Sequence, residues 1–260
     1  VPQNIEVGIY CILLVFASGA GMFLFLTRGL GLHIFAALVV STAYMFAPAS
    51  VSLMYAGHLS KIGVYAILPF QFLCVERGME SARFRYFFFL GGLIALSIGT
   101  AHLQYAYLGM WGIALYGLFW MGRLLRQKMP IRGVAIRGAF LAAAAVIGLG
   151  IAARAFVPQY MHTSQESHRA VSGEDQSAGK EFAASWSLHP EEIVSLALPE
   201  FVGYNLQQEG QHYWGRNPFK INAEYFGVII CMLAVGGLFL VRKYGHIQFF
   251  LFLFAFALLY

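Results

Sequence analysis

The stretch 86–121 constrains this chain more than any other. It is apolar almost throughout and broken only by "HLQ" at 102–104. As a single helix it would run about 54 Å at 1.5 Å per residue. The hydrocarbon core of a bilayer is only about 30 Å thick. The stretch must therefore turn, and the polar triplet is the place. Arg83 and Arg85 precede it and Arg123, Arg126 and Lys128 follow it. Basic residues on both flanks are what a hairpin returning to one side of the membrane requires.

Other apolar runs suit the same solvent. A spanning helix needs about 20 apolar residues, and 7–27, 30–48, 138–157 and 225–241 supply them. The run 62–75 is short and contains Pro69, so it reads as tilted, kinked or extended by its neighbours. The run 247–260 opens a last helix. The chain is 59% hydrophobic and 11% charged, less than half the roughly 25% charge of soluble domains. The predicted fold is all-α: a polytopic transmembrane helical bundle of about eight membrane segments with one long loop. Residues 1–157 and 225–260 form the helical regions and 158–224 the loop. The chain starts without Met and stops inside an apolar run, so it reads as a piece of a longer polypeptide.

The basic residues orient the segments. Of the 17 Lys and Arg, eleven fall in the short connections at 28, 76–85, 122–137 and 242–243. Such a bias marks the cytoplasmic side. The N-terminal flank, 49–61, 102–104 and the loop 158–224 then lie outside. "VPQNIE" lacks the basic region of a secretory signal. Cys11, Cys74 and Cys231 lie far apart in apolar runs, which is neither a disulfide framework nor a metal-spaced cluster.

On the outer side, polar residues gather at segment ends. His58, Ser60 and Lys61 fall in "YAGHLSKIGVY", and His102 and Gln104 in "TAHLQYAYLG". Together they would line a cavity at the lipid–water boundary, where Lys61 and nearby helix N-termini suit an anionic head group. The plainer alternative is that polar helix ends simply meet water and lipid head groups. His33 reads as a helix start rather than a pigment or haem ligand.

In the loop, "HTSQESHRAVSGEDQSAGKEF" (162–182) is rich in small polar residues and reads as a mobile surface segment. Further on, "SLHPEEIVSLALP" predicts a short helix over 190–198. Pro190 suits the first turn, Glu191 and Glu192 suit the positive end of the dipole, and Pro199 stops it. "LPEFVGY" and "HYWGRNPFKINAEYFG" supply Glu200 as a candidate general base or metal ligand. Arg216 and Lys220 are candidate phosphate ligands. Tyr213 and Trp214 would stack on a sugar or sit in the aromatic belt at the membrane surface. No cofactor is indicated, with a divalent metal left open. Nucleic acid is excluded as a partner, because the basic residues lie in short connections between apolar runs. A transporter would need ionisable groups at mid-membrane, and the apolar runs are nearly free of them.

Four stretches, in this order and separation, resemble the YfhO family of bacterial membrane proteins: "AGHLSKIGVYAILPF", "AHLQYAYLG", "SLHPEEIVSLALPEFVGY" and "YWGRNPFKINAEYFG". They cover roughly residues 50 to 230. The family is placed in the GT-C class of integral membrane glycosyltransferases. The resemblance implies a polyprenyl-phosphate-linked sugar donor, a membrane-lipid environment, and transfer on the outer face of the bacterial cytoplasmic (inner) membrane in cell-envelope glycosylation. His58, Lys61, His102, Gln104, Arg216 and Lys220 would hold the leaving phosphate, and Tyr213 and Trp214 would contact sugar or lipid. GT-C enzymes usually carry an essential acid in the first outer loop. Here that loop would precede Val1, so the expected catalytic acid lies outside the stretch in view. The alternative is a non-catalytic structural or accessory subunit of a larger membrane complex.

Overall fold

The computed structural model describes residues 3–166, 188–199, 201–203, 213–214 and 225–259. Among them every regular element is helical. In chain order these are α1 (Gln3–Leu24), a π-helical turn (Phe25–Gly29), α2 (Ile34–Met45), α3 (Pro48–Tyr55), α4 (Leu59–Ser81), α5 (Phe84–Gly99), α6 (Leu103–Arg126) and α7 (Ile131–Glu166). A 3₁₀ helix (Pro190–Leu196), α8 (Val228–Leu238) and α9 (Gly245–Leu259) complete them. Among the described residues, five helical stretches are long and apolar enough to cross a membrane: Ile5–Gly29, Ile34–Tyr55, Leu59–Ser81, Leu103–Arg126 and Ile131–Pro158. α5, α8 and α9 are apolar but shorter.

The chain divides into two compact units, Val1–Phe46 with Gly57–Val157, and Ala47–Ala56 with Pro158–Tyr260. In the first, α4 is the central rod and the most buried of the candidate spans. α1 runs beside it in the same direction: a Cβ on Gly21 would lie 2.6 Å from the Phe70 ring, and one on Gly29 would lie 3.5 Å from Glu76 Cγ. α2 returns antiparallel. Tyr44 Oη donates to the Tyr65 carbonyl at 2.9 Å and Tyr65 Oη to the Tyr44 carbonyl at 2.7 Å. The two rings stack at 4.0 Å. This reciprocal pair joins two apolar helices that gain little from hydrophobic burial in lipid.

α5 is antiparallel to α4. Gln71 Nε2 donates to Ser97 Oγ at 3.0 Å and to the Leu93 carbonyl at 3.2 Å, and both side chains are buried. α6 lies parallel to α4, with Gly109 and Gly112 facing Leu68 and Phe72. α7 closes against α5 through small residues. A Cβ on Gly91 would meet the Ala144 carbonyl at 2.9 Å, and one on Gly148 would meet the Gly91 carbonyl at 2.9 Å. Such close backbone approach is how helices associate where lipid competes for every apolar side chain.

The hairpin required at 102–104 is present. α5 ends at Gly99, Ala101 takes a left-handed conformation (φ 65), and His102 occupies the N-cap of α6. Two expectations need correction. Residues 49–55, expected in an outer loop, form most of α3, because Pro48 occupies its first turn and the following residues are helix-compatible. Residues 76–81, expected in a loop, are the last turns of α4. A helix ending at Val75 would span only about 21 Å, and the extension supplies the missing length.

The two ends of the first unit differ in charge. Because α1, α4 and α6 run one way and α5 and α7 the other, Arg28, Arg77, Arg83, Arg85, Arg123, Arg126, Lys128, Arg132 and Arg137 share one end. Arg137 ties that end together: its Nε donates to the Met79 carbonyl at 2.8 Å, from the start of α7 to the last turns of α4. Lys61 and Arg154 are the basic residues toward the other end, with Glu6 exposed in the first turn of α1.

In the second unit, Trp214 N donates to the Val202 carbonyl at 3.1 Å and Phe226 N to the Leu196 carbonyl at 3.0 Å. These bonds fasten the described segments around the Pro190–Leu196 turn, which covers most of the helix expected over 190–198. Its 3₁₀ form follows from its length and from Pro199 just beyond its end.

Candidate functional site

α4 and α6 begin side by side at the end of the first unit opposite the arginines. Gly57 (φ 74) makes the turn into α4, and exposed His58 takes its N-cap position without a side-chain capping bond. Lys61 sits in the first turn. A cation there opposes the helix dipole, so helix stability does not account for it. Its Nζ instead lies 5.4 Å from the centroid of the Tyr105 ring on α6, within cation–π range.

His102 caps α6. Its Nδ1 accepts from Tyr105 N at 3.4 Å, and its ring meets the Tyr105 ring edge-on at 4.8 Å. Partial burial holds the His102 imidazole below its usual pKa, the Lys61 charge pushes the same way, a backbone hydrogen bond opposes, and His58 adds a smaller lowering. Lys61 and His102 thus bear on one another across the Tyr105 ring. Neighbouring elements complete this end: a Cβ on Gly63 would lie 2.8 Å from Thr100 Cγ2 and 3.9 Å from Tyr10 Oη. Gln104 is exposed in the first turn of α6. The structure therefore brings Lys61, His102 and His58 together through Tyr105. Two helix N-termini open beside them, each with a positive dipole end.

Tyr213 and Trp214 belong to the second unit. Tyr213 Oη donates to Glu192 Oε1, and the Glu192 side chain is completely buried. Trp214 is 56% exposed and lies edge-on to Phe201 at 5.6 Å. Ser195 follows Glu192 at the spacing that eclipses side chains on a 3₁₀ helix. Its Oγ is buried without a hydrogen-bond partner among the described residues. Glu200, Arg216 and Lys220 lie outside the described residues.

Sequence reasoning missed two buried acids. Glu192 is read from the sequence only as a partner of the helix dipole, yet its side chain is buried. Glu76 was assigned to a basic loop, yet it is 5% exposed inside α4. Its Oε2 accepts from Tyr116 Oη and, at 2.7 Å, from Trp120 Nε1. Arg123 stacks over Trp120 at 4.8 Å and its charge acts on the same carboxylate. The signal was available: Tyr116 and Trp120 stand four apart on α6, on one helix face, with donors aimed at a common acceptor. His33 caps α2, its Nδ1 accepting from Phe35 N at 3.4 Å, as expected of a helix start. Among the described residues no group of three His, Cys, Asp or Glu side chains is placed to hold a metal ion.

Comparison with protein-family models, with curated proteins and with solved structures finds no match to this chain.

Proposed function

We propose that this is a multi-pass membrane protein of the GT-C type, similar to YfhO proteins, that transfers sugar from a polyprenyl-phosphate donor at the outer face of a bacterial cytoplasmic membrane. One observation carries the reading. A lone lysine, two histidines and two helix N-termini meet at the bundle end away from nine basic residues. The basic excess fits the cytoplasmic side, which supports an outer position for the Lys61 end.

There the chemistry suits a phosphate held at the membrane surface. Lys61 supplies a full charge, the α4 and α6 N-termini supply partial ones, and Tyr105 holds the ammonium beside His102. Charge grows on the leaving phosphate as its bond to the anomeric carbon breaks. Fixed positive charge at that point lowers the barrier. By the resemblance to YfhO proteins, Arg216 and Lys220 are candidate phosphate ligands and Tyr213 and Trp214 candidates for contact with sugar or lipid. Glu200 is the candidate for taking the proton of the acceptor hydroxyl.

The test is binding and turnover of a polyprenyl-phosphate sugar by the full chain in nanodiscs. Lys61→Ala should weaken binding about tenfold, the worth of one charge-assisted contact. Glu200→Gln should spare binding, and loss of transfer in it would assign the base to Glu200 rather than to an acid preceding Val1. Unchanged affinity in Lys61→Ala removes the phosphate site. Binding by the unsubstituted chain with no transfer favours the accessory-subunit alternative.

A further inference from the structure

The turn between α4 and α5, at the arginine-rich end, carries a second anion-recognising arrangement. Arg85 Nη2 donates to Tyr86 Oη at 3.2 Å, and the Arg85 guanidinium lies 4.9 Å from the Tyr86 ring centroid. Arg77, one turn before the end of α4, bears on the same phenol. Arg83 stands exposed between them at the N-cap of α5. The Arg85 guanidinium thus donates to the Tyr86 hydroxyl, with the Arg77 charge nearby. As an acceptor from Arg85, Tyr86 Oη still has its own proton to donate.

The acid nearby offsets only part of the charge. Glu80 Oε2 accepts from Arg77 Nη1 at 2.6 Å, and both side chains are substantially exposed. Arg83 and Arg85 have no acidic partner among the described residues. A tetrahedral phosphate, with several acceptor oxygens, matches a guanidinium fork beside a phenol. The apolar surroundings identify the source of that phosphate. Phe84, Phe88 and Phe89 follow directly on α5 and are 42%, 55% and 60% exposed. Exposed rings beside an arginine pair suit a molecule with both a phosphate and acyl chains.

We infer that the α4–α5 turn binds the phosphate of an anionic phospholipid through Arg77, Arg83, Arg85 and Tyr86, with its acyl chains along Phe88 and Phe89. The site is separate from the Lys61 group and does not depend on the sugar-transfer reading. It differs from a diffuse attraction of basic residues to a charged leaflet in being local, and that difference is what an experiment can read.

The full chain, purified in detergent, is titrated with spin-labelled phosphatidylglycerol and, separately, phosphatidylcholine, and the immobilised fraction is measured. Phosphatidylglycerol should bind the tighter. The double substitution Arg83→Gln/Arg85→Gln should lower its affinity about thirtyfold, the loss expected for two basic residues at a membrane surface. Arg126→Gln/Lys128→Gln removes equal charge from the end of α6 and should leave the affinity unchanged. Arg85→Lys, which keeps the charge and loses the fork, should fall between. Equal losses in the two double variants would overturn the site in favour of diffuse charge. Equal binding of the two lipids would overturn it outright. Displacement of phosphatidylglycerol by equimolar inorganic phosphate would overturn the lipid assignment. Unchanged helical circular dichroism in each variant confirms that the loss is one of binding.

Discussion

The two ends of the first helical unit put their polar groups to different uses. At one end nine basic residues stand against Glu76 and Glu80. Several of the nine are committed to the fold: Arg137 to the Met79 carbonyl, Arg77 to Glu80, and Arg123 to the face of Trp120. At the other end Lys61 stands with two histidines and Tyr105, with Arg154 and Glu6 as the remaining charges. At the crowded end Arg137 fastens the start of α7 to α4, while the Arg77–Glu80 and Arg123–Trp120 contacts lie within single helices. At the sparse end the Lys61 ammonium has no carboxylate partner among the described residues, so its charge is open to an anion.

The comparison breaks most directly at Glu76. Glu76→Leu removes the acceptor shared by Tyr116 and Trp120 and should cost about 3 kcal/mol, as buried polar networks do when one member is lost. Unfolding in detergent micelles, followed by circular dichroism, measures this. Glu76→Gln keeps an acceptor at the same position and should cost about 1 kcal/mol. A leucine variant as stable as the parent would mean that the buried carboxylate does not join α4 to α6.

Next in size is Arg137. Arg137→Met keeps much of the apolar stem and removes the donors to the Met79 and Gly133 carbonyls. A loss of about 1.5 kcal/mol is expected, at the low end for hydrogen bonds from a charged group. At the sparse end, His102→Ala removes an N-cap that accepts at a long 3.4 Å, and should cost about 0.5 kcal/mol, the low end for such caps. If His102→Ala proved as damaging as Glu76→Leu, the sparse end would be structural too, and its reading as a binding surface would fail.

What could be seen in advance follows the same division. The helical class, and the turn at 102–104, follow from bilayer thickness and helix rise, which leave no other way to place a mostly apolar stretch of 36 residues. The gathering of arginines at one end follows from alternation along the chain. Glu76 was hidden because the run "VERGMESAR" looks like a polar connection when read linearly. On a helix, Glu76 shares a buried face with Val75, Phe72 and Met79, while Glu80 points outward. The shortness of the 62–75 run was the clue, since a crossing helix had to borrow residues from one flank. α3 was missed for a similar reason: Pro48 was read as the end of one segment when it is the start of the next. Glu192 was assigned its dipole role correctly, but its bond to Tyr213 joins residues 21 apart in sequence, and no local pattern announces such a pair.

The smallest effect is the most specific to the sparse end, and it concerns pH. His102 has its pKa below the usual value of 6.5, first through partial burial and then through Lys61, with His58 adding to the same direction. A histidine depressed in the folded state is bound by protons more readily when unfolded. Its neutral form therefore contributes stability above about pH 6.5, and that contribution is lost as the pH falls through the folded pKa. Over the same interval protonation puts a second cation beside Lys61, so affinity for a phosphate head group should rise as stability declines. Histidine-selective NMR of the full chain in nanodiscs reads the titration directly. Lys61→Met should move the His102 midpoint back toward 6.5, because it removes a charge and leaves burial in place. Titration of His102 at or above 6.5 in the unsubstituted chain would mean that Lys61 and His102 do not face one another in solution. Opposite pH trends for stability and phosphate affinity would then have no basis at this end of the bundle.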